Sequence, residues 1–65
     1  MKKVITKDII SVTRFQIGVN GIEEVYMEYD RVKQNTFMKI NGVFIWGMSG
    51  KWAEKFFNKY GLLIN

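Results

Sequence analysis

The chain contains no cysteine, no histidine and no proline. Without cysteine, neither a disulfide nor a thiolate metal site can hold it together. Without histidine, the commonest zinc ligand is missing, and so is the side chain that ordinarily titrates near neutrality. Stability in a chain of 65 residues must then come from packing, in a size class where only about 60% of the unfolded surface is buried on folding. With no proline, glycine and asparagine have to punctuate the backbone. Long apolar runs are lacking too, and nothing approaches the ~20 residues of a membrane-spanning helix. The start MKKVITKDII is basic like the first part of a signal peptide. Lys7 and Asp8 interrupt it before the roughly 7 apolar residues that such a peptide needs. The expectation is a soluble, cytoplasmic protein without membrane association, and the missing cysteine agrees with a reducing compartment.

What is present is a high apolar content, 48% hydrophobic and 15% aromatic, well above that of a disordered tail. No linker, repeat or low-complexity tract divides it, so residues 1–65 read as a single small domain. The formal charge is +4, and eight of the ten basic residues are lysine. That balance modestly favours anionic partners. The lysine excess, with eight isoleucines and five asparagines, is equally what an AT-rich coding sequence produces.

Asn-Gly occurs at Asn20-Gly21 and Asn41-Gly42, and this dipeptide supplies the positive φ angles of two-residue hairpin turns. Before the first turn, Phe15, Ile17 and Val19 alternate with Arg14, Gln16 and Gly18, as in a half-buried strand. Ile9, Ile10 and Val12 blur this pattern, which points to a bulge near Ser11 to Thr13 or to a separate short strand at Val4 to Thr6. After the turn, Val25, Met27 and Tyr29 share one face, and Glu24, Tyr26, Glu28 and Asp30 the other. Residues 22–32 also carry a helical stripe, with Asn20 and Glu23 mimicking a capping box, but their Tyr and Val content favours a strand. A three-residue connection, Asn20 to Ile22, pairs Ile17 with Val25, Phe15 with Met27 and Arg14 with Glu28. It is expected because it aligns the apolar faces.

Lys33 to Asn35 reads as a polar connection. Around Asn41-Gly42, Ile40 is expected opposite Val43, Met38 opposite Ile45, and Phe37 opposite Trp46. One face of this hairpin is then aliphatic, and the other carries Phe37, Lys39, Phe44 and Trp46. Ser49 is placed to cap a helix over Gly50 to Tyr60, with Gly61 at its left-handed end and Leu62 against Phe57. At about 100° per residue, Trp52, Ala53, Phe56, Phe57 and Tyr60 form the inward arc, opposite Lys51, Glu54, Lys55 and Asn58. Leu62, Leu63 and Ile64 read as a short edge strand. The fold class is α+β, a small antiparallel β-meander of about four strands with one C-terminal amphipathic helix packed on one face.

Catalysis is hard to assemble from these residues. Ser11, Ser49 and the threonines lie beside no recognisable base. Glu23, Glu24, Glu28 and Asp30 read as a solvated strand face rather than a cation site. Gly47-Met48-Ser49-Gly50 lacks the spacing of a phosphate loop. No catalytic residue, metal, cofactor or small-molecule substrate is expected. The informative feature is a hairpin apolar on both faces, more surface than one helix can cover. It points to a small non-enzymatic protein that binds a protein partner or itself through Phe37, Lys39, Phe44 and Trp46. An inhibitor or accessory factor of phage or mobile-element type fits this description. The alternative is a nucleic-acid-binding module, with the hairpin aromatics stacking on bases and Lys39, Lys51, Lys55 and Lys59 meeting phosphates.

Overall fold

The computed structural model describes the backbone of residues 2–62 and the side chains of residues 3–60. Five strands, β1 (Lys2–Ile5), β2 (Ile9–Gly18), β3 (Gly21–Asp30), β4 (Asn35–Ile40) and β5 (Val43–Ser49), lie in the sheet in chain order. Every neighbouring pair is antiparallel. Among the described residues there are thus five strands rather than four. The added one, β1, pairs Val4 with Ser11 and Ile5 with Ile10, so a separate short strand, and not a bulge in β2, accounts for the blurred pattern there. Thr6 makes the return turn, its hydroxyl donating to Ile9 O (3.1 Å) and accepting from Ile9 N (3.2 Å). Residues 21–30 form a strand, not a helix.

The first hairpin turns one step earlier than expected. Gly18 pairs with Gly21, so Val19 and Asn20 form the loop, and the positive φ (115°) falls on Gly21. Phe15 therefore meets Glu24 instead of Met27, and Arg14 meets Val25 instead of Glu28. Because side chains alternate with period 2, an odd change of register exchanges the faces. Ile10 and Val12 now share a face with Tyr29 and Met27, and these four, with Val25, are buried. The regular alternation of Phe15, Ile17 and Val19 proves to be outer surface, with exposures of 66%, 89% and 100%.

The second Asn-Gly behaves as expected: Asn41 (φ 51°) and Gly42 (φ 81°) both take the left-handed conformation of a type I′ turn, and Ile40 faces Val43. The ladder then slips. Lys39 opposes Phe44 and Met38 opposes Trp46, leaving Ile45 as an extra residue in β5. A bulge of this kind re-aims every side chain beyond it. The expected Met38–Ile45 and Phe37–Trp46 pairs are replaced by Met38–Trp46 and Phe37–Gly47.

Gly50 (φ 99°) makes the turn out of β5, donating its N–H to Gln34 O (2.9 Å). Helix α1 (Ala53–Phe57) follows and widens into a π-helical stretch, Asn58–Leu62. Ser49 ends β5 and does not cap; Trp52 holds the N-cap position with no side-chain cap bond. Nor does Gly61 terminate the helix, since the π-helical stretch runs through it to Leu62. The Leu62 side chain, with its expected contact to Phe57, and the edge strand expected through Leu63 and Ile64 lie outside the described residues.

The helix packs on one face of the sheet through Ala53 and Phe57, one turn apart and fully buried. Ala53 lets the backbone approach closely, and the Phe57 ring stacks on Tyr29 with centroids 5.9 Å apart. Met38, Trp46, Met48 and Tyr60 close the cluster from the side. Trp52, expected inward, is 54% exposed. The buried arc is centred on Ala53 and Phe57, and Trp52 lies about 100° round from Ala53, on the flank. Thr36, also buried, donates its hydroxyl to Glu28 O at 2.7 Å.

This register predicts a sharp contrast in stability. Phe57→Ala should cost about 3–5 kcal/mol, whereas Val19→Ser should stay within about 0.5 kcal/mol of the parent. Denaturant unfolding of both variants measures the difference.

Candidate functional site

The bulge at Ile45 divides the expected interaction residues between two surfaces. On the face away from α1, the ladder sets Thr13, Tyr26, Lys39 and Phe44 in one row across β2 to β5, and Ser11, Glu28, Phe37 and Gly47 in the next. The rings of Tyr26 and Phe37 meet at 6.1 Å, and Lys39 Nζ lies 5.6 Å above Phe37. Phe44 leans over Gly47, where an added Cβ would sit 3.2 Å from the ring, and is 60% exposed. Phe15, Ile17 and Ile22 extend the same face toward the first turn, all of them exposed. Phe37, Lys39 and Phe44 are therefore together, as expected, while Trp46 points the other way.

Tyr26, Glu28, Asp30 and Asn41, on or beside this face, are tied down by hydrogen bonds. Tyr26 donates its hydroxyl to Glu28 Oε1 at 2.7 Å. Asp30 Oδ1 accepts from Val32 N (2.9 Å) and Lys33 N (3.0 Å) in the next turn. Asn41 clips its turn onto β3, accepting from Glu24 N and donating its own N–H to Glu24 O, both at 2.9 Å. Partial burial, and after it the hydrogen bond and charge of Glu28, push the Tyr26 phenol above its ordinary value, with Ser11 opposing weakly. Among the described residues, no three acidic side chains converge as metal ligands would.

The second surface lies between α1 and the far end of the sheet. Met38, Trp46, Phe56 and Tyr60 line a cleft of about 380 Å³. Trp46 meets Tyr60 edge to face (6.4 Å, 74°), and Phe56 stacks on Tyr60 (5.9 Å, 27°). Beside it, Trp52, Lys55, Phe56 and Lys59 line a shallower hollow of about 240 Å³. The ammonium groups of Lys55 and Lys51 lie 5.1 Å and 5.9 Å from the Trp52 ring, and that of Lys59 lies 5.3 Å from Tyr60. Of the lysine row expected on the helix, Lys55 and Lys59 are on the helical segment, which starts at Ala53 rather than Gly50, and Lys51 lies in the turn before it; Lys39 belongs to the opposite face and does not join them.

Two contributors escaped the sequence reading. Tyr26 reads there as one of an acidic outer face, and only its pairing opposite Lys39 brings it beside Phe37. Met38 reads as part of a plain aliphatic face; opposite Trp46 it becomes a cleft wall. Among the described residues, no helix is long and apolar enough to cross a membrane. No family model, curated protein or solved structure matches the chain.

The Tyr26–Glu28 bond sets an alkaline limit. Because the folded-state pKa is raised, the contribution of the neutral phenol to stability is complete below about pH 10, the unfolded value. It is lost as pH rises through the higher folded value. Glu28→Gln should lower the Tyr26 pKa toward the ordinary value without restoring it fully, since burial remains. Titration of the phenolate absorbance of wild type and variant checks this.

Proposed function

We propose that this protein is a non-enzymatic interaction protein that docks the uncovered face of its sheet onto a larger macromolecule, as an inhibitor or accessory factor does. The observation that carries this reading is the mismatch between sheet and helix. A single short helix covers part of one face, while Phe15, Ile17, Ile22 and Phe44 on the other face are each at least 60% exposed. An open antiparallel sheet normally turns polar side chains to water, and several large exposed apolar side chains on such a face mark an interaction site. Tyr26, Phe37 and Phe44 are of the aromatic type that dominates interface energetics, and they lie on β3, β4 and the edge strand β5 of that face. The absence of histidine and cysteine agrees with binding rather than catalysis. A cytoplasmic setting and a phage or mobile-element origin fit a small protein of this kind.

Nucleic-acid binding is the second reading, favoured by Lys51 and Lys55 beside an exposed Trp52, with Lys59 over Tyr60. Affinity capture from lysate, with and without nuclease, separates the two readings. Protein binding requires that capture survive nuclease and fall about thirtyfold in Phe44→Ala, the effect of losing ~2 kcal/mol at an interface anchor. Capture abolished by nuclease would transfer the function to nucleic acid.

A further inference from the structure

We infer that the cleft between α1 and β4–β5 is a second docking site, taking an apolar or aromatic side chain from an acidic segment of a protein partner. The inference rests on the protein-binding reading above and adds a contact on the opposite side of the sheet. Three features of the cleft select this occupant.

The first is shape and chemistry. The walls, Met38, Trp46, Phe56 and Tyr60, form an open hollow of about 380 Å³, room for one or two large side chains. Its aromatic walls and the soft thioether of Met38 accept varied apolar shapes. The second is charge. Lys55 and Lys59 stand on the helical segment and Lys51 in the turn before it, with Glu54 as the acid among them, all exposed, and the hollow bounded by Lys55 and Lys59 shares Phe56 with the cleft. An apolar side chain seated in the cleft would bring flanking carboxylates to these ammonium groups.

The third feature weighs against a nucleic-acid strand here. Stacking of successive bases needs flat, open ring faces. Phe56 and Tyr60 are stacked on each other, and Trp46 meets Tyr60 edge to face. Trp52 already has two ammonium groups near its ring. Among the described residues, the cleft walls also hold no Asn, Gln or carboxylate to read a base edge.

The test is an NMR titration of the isotope-labelled full chain, following the indole N–H signals of Trp46 and Trp52. Three probes are used: the capped peptide Glu-Asp-Leu-Phe-Glu-Asp, its basic counterpart Lys-Arg-Leu-Phe-Lys-Arg, and a short oligothymidylate. The acidic peptide should shift the Trp46 indole and the amides around Phe56. The double variant Lys55→Glu, Lys59→Glu, whose changes are on the surface, should bind it about tenfold more weakly, the equivalent of ~1.4 kcal/mol. Phe44→Ala should leave this affinity unchanged. An absent response to the acidic peptide, or an equal response to the basic one, overturns the inference. So does tighter binding of the oligothymidylate to the same signals. If the peptide fails while capture of a partner still depends on Phe44, the cleft is discarded and the sheet-face reading stands.

Discussion

Everything in this fold depends on the seating of Ala53 and Phe57 against the sheet. A chain with no disulfide or thiolate metal site must find its stability in one packed layer, and the helix that supplies the second layer has only a few turns. The sheet, by contrast, contains two ten-residue strands, each roughly 33 Å long at ~3.3 Å per residue. A short helix covers the end where Ile10, Val12, Met27 and Tyr29 lie and leaves the rest open. The uncovered first hairpin and the cleft beside the helix follow from that inequality in length, and the bare second face from the helix packing on one side only.

Two local events then distribute the side chains. The first turn closes on Val19 and Asn20, with Gly21 carrying the positive φ, and an odd register places Phe15, Ile17 and Ile22 away from the core. The extra residue at Ile45 turns Trp46 from the open face to the helix side. In both cases an odd change of register, Phe15 opposite Glu24 instead of Met27 and the extra residue at Ile45, moves a whole set of apolar side chains from one side of the sheet to the other. Such steps leave little trace in composition, because both alternatives bury apolar groups.

The outcome is a protein with two dissimilar surfaces. On the open face, aromatics and Lys39 are interleaved with the carboxylates of β3, so it is mixed in charge and suited to a partner of mixed charge. Beside the helix, an aromatic cleft adjoins a hollow bounded by Lys55 and Lys59, with which it shares Phe56. Because the sheet separates them, each can be altered with little effect on the other, and a partner engaging both would have to wrap an edge of the sheet.

The sequence by itself determined the α+β class, the antiparallel meander, the type I′ turn at Asn41-Gly42 and the amphipathic helix with Phe57 inward. These follow from local rules: φ preferences of Asn-Gly, period-2 alternation and helical spacing of about 100° per residue act within a few residues. It also brought Phe37, Lys39 and Phe44 together, because they sit close to a turn whose register the turn itself sets. Only the tertiary structure decided that Ile10 and Val12, not Phe15 and Ile17, form the core, that Trp46 lies under the helix flank, and that Trp52 faces water. Those choices depend on where a short helix can reach and on which register buries the most surface beneath it. That is a competition between distant segments, and no local pattern records its result.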